Sequence, residues 1–127
     1  MQNHGKKKIL AVVEDLLFTV KISDAAKRAG LDVEFVKSEQ DVLDKATHEK
    51  PLLVILDLNF TAVQPLKLIS TMKSNGDMKQ ISVIGYLSHV QGELKQQAQE
   101  AGANIVMARS AFSQNLQQIL KRHSGVI

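Results

Sequence analysis

Cysteine and tryptophan are absent from this chain of 127 residues, and its aromatic side chains are only Phe18, Phe35, Phe60, Phe112 and Tyr86. Without cysteine there is neither a disulfide framework nor a thiolate metal site, so packing alone must hold the fold, which suits a reducing compartment. No apolar run approaches the ~18 to 20 residues needed to cross a bilayer. The apolar stretch that follows Lys6 to Lys8 is interrupted by Glu14 and Asp15, with no small-residue cleavage site after it, so no signal peptide is read. These absences predict a soluble, cytoplasmic protein with no membrane partner. Neither GxxxxGK[ST] nor GxGxxG occurs, which argues against a nucleotide-binding enzyme, and no enzymatic activity is expected. His4, His48, His89 and His123 lie far apart, without metal-ligand spacing. Charge of one sign is also scarce: 16 Lys and Arg oppose 13 Asp and Glu, giving +3. The basic clusters, Lys6 to Lys8 and Lys121 with Arg122, sit near the chain ends. With so few aromatics for stacking, no direct nucleic-acid partner is expected.

What is present is a regular alternation. At 44% apolar residues the chain can bury one core, so residues 1–127 are expected to form a single domain, with 1–6 a flexible N-terminus. Short apolar, β-branched runs occur at Ile9 to Val13, Val33 to Val36, Leu52 to Leu56, Ile81 to Tyr86 and Ile105 to Met107. Longer segments with helical spacing separate them. Leu16, Val20, Ala25 and Ala26 are expected to form the buried stripe of a first helix, ended by Gly30. Val42, Leu43 and Ala46 mark a second, capped by Ser38 and finished before Pro51. Leu66, Leu68, Ile69 and Met72 mark a third, opened by Pro65 and closed before Ser74-Asn75-Gly76-Asp77. Val90, Leu94, Ala98 and Ala101 mark a fourth, and Phe112, Leu116, Ile119 and Leu120 a fifth that begins after Ser110. Repeated strand-helix-strand units predict an α/β fold, a doubly wound parallel sheet with helices on both faces.

Such sheets place their sites outside the carboxyl ends of the strands. The residues there are Glu14 and Asp15, Lys37 and Ser38, Asp57 and Asn59, Leu87 to His89, and Arg109 with Ser110. Carboxylates gathered on one rim repel, so a hard, oxygen-preferring cation such as Mg²⁺ is their natural partner.

The segments KILAVVED, LVILDLN, SVIGYLS and AGANIVMARS, in that order, resemble the receiver domain of bacterial two-component response regulators from Lys8 to about Arg122. The resemblance implies a flavodoxin-like five-stranded sheet in the order 2-1-3-4-5 with five helices. It also implies a signalling role in a phosphorelay. Asp57 would be the phosphoacceptor, with Mg²⁺ held by Asp57, Glu14, the backbone carbonyl of Asn59 and, in a supporting role, Asp15. Arg109 stands at the family's phosphoryl-pairing lysine. The implied partners are a sensor histidine kinase or phosphotransfer protein, a downstream protein bound through the fourth helix, fifth strand and fifth helix, and a second copy in a homodimer. The departures from the pattern are specific. Val13 replaces the first member of the acidic pair, Leu87 the hydroxyl residue that follows the phosphoryl group, and Val106 the aromatic that moves with it.

Plainer roles stand beside these. Asp57 could be a turn or cap residue, and Asp15 suits the positive end of the first helix. Ser88 with Gln91 reads as a capping box for the fourth helix and Ser110 as the N-cap of the fifth. Arg109 could simply neutralise Asp57. Two functions follow: a phosphoryl-accepting receiver, or a degenerate one that binds a partner regardless of phosphorylation, its Leu87 and Val106 packing into a single conformation.

Overall fold

The five apolar runs become five parallel strands. The computed structural model describes residues 7–88 and 92–124. Within them β1 (Lys7–Val12), β2 (Leu31–Phe35), β3 (Leu53–Asp57), β4 (Ser82–Leu87) and β5 (Ile105–Ala108) form one sheet in the order β2-β1-β3-β4-β5. The crossovers are α1 (Leu16–Arg28), α2 (Glu39–Glu49), α3 (Pro65–Ser74) and α4 (Gly92–Ala101), and α5 (Arg109–Ser124) follows β5. The expected doubly wound architecture and strand order are both present.

Alternation along the strands divides the interior into two layers. Leu10, Val12, Val54, Leu56, Val83 and Leu87 face a core completed by α2, α3 and α4. Ile9, Ala11, Val13, Leu53, Ile55, Ile84 and Tyr86 face one completed by α1 and α5. β3, in the middle, is buried along its whole length, which is why its sequence is unbroken by polar residues before Asp57.

Local chemistry sets the helix ends. The Asp15 carboxylate caps α1 by accepting from the Leu17 N–H at 2.7 Å. Gly30, at φ +74°, takes the left-handed conformation just beyond that helix. Ser38 caps α2 through the Asp41 N–H at 3.1 Å, and Pro65 opens α3.

The structure corrects several expectations. β2 begins two residues before Val33 because Leu31 is itself buried and pairs with Lys7. β3 and β4 run one residue further than expected, so Asp57 and Leu87 end strands instead of opening loops. α5 starts at Arg109, so Ser110 lies inside the helix and is not its N-cap. Most important, Leu16 and Val20 do not face the sheet. They are 77% and 61% exposed, and α1 instead buries Phe18 and Ile22 with Ala25 and Ala26. Two apolar stripes compete on this helix, and the larger aromatic wins the interior. The proposed Ser88–Gln91 cap and Val90 involve residues outside those described.

Candidate functional site

Asp57 is the last residue of β3, and its register partner on β4 is Tyr86. Neighbours in parallel register project to the same side, so the carboxylate and the phenol both belong to the α1/α5 face. Asp57 is the only buried charged side chain among the described residues, at 9% exposure. The backbone N–H of Asn59 donates to its Oδ1 at 2.9 Å, and the backbone N–H of Glu14 donates to it as well. Burial holds the Asp57 carboxyl above the ordinary carboxylate range. The Asn59 N–H pulls the other way, the negative charge of Glu14 raises it further, and the Glu14 N–H again lowers it. An acid held in this way has negative charge beside it and, among the described residues, no basic side chain paired to it.

The guanidinium that could have answered is engaged elsewhere. Arg109 pairs with Asp15, not with Asp57, and lies over the Phe18 ring at 4.5 Å from its centroid. Asp15 thus caps α1 and holds Arg109 at the same time, consistent with its helix-end role and leaving it little capacity for a metal. Below this pair sits an aromatic cluster not singled out from the sequence. Tyr86 lies 5.0 Å from Phe18 and 4.9 Å from Phe112, and the two phenylalanines are 6.1 Å apart. The signal was available: Ile84 and Tyr86 alternate onto one face, and Phe18 and Phe112 stand near the starts of the two helices covering that face. The Tyr86 hydroxyl is buried with no hydrogen-bond partner among the described residues. Burial, and secondarily the charge of Asp57, holds this phenol above its ordinary value.

Glu14 is exposed on the same rim. The Asn59 carbonyl accepts from the Thr61 N–H at 3.0 Å, while its side-chain Oδ1 accepts from the Ser88 N–H at 2.7 Å and ties the loop after β3 to the end of β4. Val13 is buried in the α1/α5 core, and Leu87 and Val106 are buried in the opposite core. No group of three His, Cys, Asp or Glu side chains among the described residues is arranged to hold a metal. Two carboxylates and a carbonyl still fit a hard divalent cation that keeps several waters. The mutual repulsion of Glu14 and Asp57 is the observation that favours one.

No family model matches the chain, and no curated protein matches it. Solved structures do. A response regulator from Hahella chejuensis superposes with a TM-score of 0.85 at 20% identity, over 95% of this chain and 97% of that one. The phosphorylated cyanobacterial phytochrome response regulator RcpA gives 0.76 at 21% identity, over 92% and 90%. The Mn(2+)-bound form of response regulator Rcp1 gives 0.73 at 18%, over 91% and 90%. The fold is that of response-regulator receivers. On a receiver fold the carboxyl edge of the sheet carries Asp57, Glu14 and Asn59 together, and Arg109 stands on that edge turned toward α1. No helix of the described residues is long and apolar enough to cross a membrane.

Proposed function

We propose that this chain is a signalling receiver that accepts a phosphoryl group on Asp57 from a histidine kinase or phosphotransfer protein. The observation that carries the reading is Asp57 itself, a buried carboxylate at the end of the central strand with a second carboxylate beside it and, among the described residues, no basic side chain paired to it. A carboxylate oxygen of Asp57 attacks phosphorus, the bond from phosphorus to the donor imidazole nitrogen breaks, and that nitrogen keeps the electron pair. The Asn59 and Glu14 N–H groups hold the carboxylate in one orientation during attack. Asp57, Glu14 and the Asn59 carbonyl would hold a divalent cation, whose charge would offset that of the phosphoryl oxygens. Arg109 must leave Asp15 before it can meet a phosphoryl group, which makes transfer slower than in a site whose cation is free. That RcpA was solved phosphorylated and Rcp1 with Mn(2+) supports the same chemistry on this fold.

A second reading rests on a different observation. Leu87 and Val106 are 2% and 7% exposed in one apolar core, where a hydroxyl and a movable aromatic would be needed to relay a change. A packed pair there locks one conformation, so the α4, β5 and α5 face would bind its partner without phosphorylation. Incubation with Mg²⁺ and a small acyl-phosphate donor, followed by intact mass, separates the two. One added phosphoryl group, absent in Asp57→Asn, is the expected result. No labelling under conditions that modify an ordinary receiver would sink the first reading and leave the second.

A further inference from the structure

Tyr86 is 1% exposed, and its hydroxyl is the one buried side-chain polar atom without a hydrogen-bond partner among the described residues. An unpaired buried O–H is costly, so native interiors keep few of them. The ring has no need of the oxygen. Phe18 and Phe112 lie 5.0 and 4.9 Å from it, and a phenylalanine would fill the same place in the stack. Packing therefore accounts for the ring and leaves the hydroxyl unexplained.

Its location is particular. Tyr86 is the register partner of Asp57, so the two side chains leave the sheet on the same side, and the charge of Asp57 reaches the phenol. Phe18 and Phe112 stand in the first turns of α1 and α5, which both start at the carboxyl edge, so the stack lies beneath the rim. Arg109 is held by Asp15 over the Phe18 ring, and Leu87 turns into the opposite core. The Tyr86 hydroxyl is thus a donor on the Asp57 side of the sheet with no other commitment among the described residues.

We propose that the Tyr86 hydroxyl donates a hydrogen bond to a phosphoryl oxygen as the group settles on Asp57, an inference that rests on the phosphoryl-accepting reading above. An Asp57 oxygen forms the new bond to phosphorus, and the bond to the donor breaks with its electron pair going to the donor. The phenol keeps its proton throughout, as its burial favours. Because the hydroxyl is unpaired at rest, the whole of its new, charge-assisted bond favours the transferring state and none of it the resting one.

Tyr86→Phe keeps the ring and removes the oxygen. With Mg²⁺ and a small acyl-phosphate donor, its initial labelling, read by intact mass, should be roughly tenfold or more slower than that of the unsubstituted chain. Its Mg²⁺ affinity and resting melting temperature should not fall. Tyr86 is the single tyrosine of a chain without tryptophan, so intrinsic emission reads this phenol alone. That emission should change on labelling and stay constant in Asp57→Asn under the same treatment. Equal labelling rates, or emission that labelling does not move, would overturn the proposal. So would a lower resting melting temperature for Tyr86→Phe, which would mean that the hydroxyl already has a partner, or a loss of Mg²⁺ affinity, which would mean that it serves the cation. A chain that takes no label at all would remove the phosphoryl-accepting reading, and this inference with it.

Discussion

Asp57 carries a cost that its neighbours set. Burial and the nearby charge of Glu14 hold its folded-state carboxyl above the ordinary value of 3.8, so the folded protein binds that proton more tightly than the unfolded chain does. Stability contributed by this group is complete below the ordinary value and is lost as pH rises through the folded one. Asp57→Asn removes the charge and keeps the shape. It should therefore raise the melting temperature at pH 7 by a few degrees, on the order of 1 kcal/mol, and the gain should vanish in acid. Thermal melts of both proteins from about pH 3.5 to 7.5 check this. A constant difference across that range would mean that the Asp57 charge is not the cause. The position of Asp57 at the end of an apolar run was readable in the sequence. That Arg109 turns away from it was not, because nothing local distinguishes Asp15 from Asp57 as the partner of Arg109.

The start of α1 combines several roles in a few residues. Asp15 caps the helix, the same carboxylate holds Arg109, and Arg109 covers Phe18. The two roles of Asp15 separate by substitution. Asp15→Asn keeps an oxygen able to cap the Leu17 N–H but gives up the charge, and it should cost up to about 1 kcal/mol, since the pair is about one-third exposed. Asp15→Ala loses the cap as well and should cost about 1 kcal/mol more. Urea denaturation of the two variants reads the difference, and equal losses would show that the cap contributes nothing. A helix-end role for Asp15 was legible in the sequence, as were the ends marked by Ser38 and Gly30, while its hydrogen bond to the Leu17 N–H is a finding of the structure. Which face of α1 turns inward was not. Leu16 with Val20 and Phe18 with Ile22 both satisfy helical periodicity, and the choice is made by Tyr86 and Phe112, which reach Phe18 from distant segments.

Across the whole molecule, two charged clusters behave in opposite ways. At the carboxyl edge, Asp57 and Glu14 repel. On the α2 side of β1 and β2, Lys8 bonds Glu34 at 3.0 Å and Glu49 at 2.5 Å, and Lys45 reaches Glu34 at 2.7 Å, joining β1, β2 and α2. Hydrogen bonds from Lys45 first and Lys8 second hold the Glu34 carboxyl below its ordinary 4.5. Its contribution is present above that value and lost as pH falls through the folded one, the reverse of Asp57. Glu34→Gln should accordingly destabilise the protein at pH 7, and raised salt should shrink the loss because these side chains are about one-third exposed. Melts in low and high salt test it, and a salt-independent loss would point to packing instead of charge.

Period and punctuation by themselves determined the alternating elements, the parallel sheet and the rim on which Asp57, Glu14 and Asn59 stand. These features follow from interactions between residues close in the chain and from burial, which a linear pattern records. Tertiary structure alone decided that Arg109 faces Asp15, that Tyr86 lies beneath with its hydroxyl unpartnered among the described residues, and that Leu16 and Val20 are left in solvent. Each of these depends on how segments far apart in sequence meet, and pairing between distant side chains leaves no period for a sequence to display.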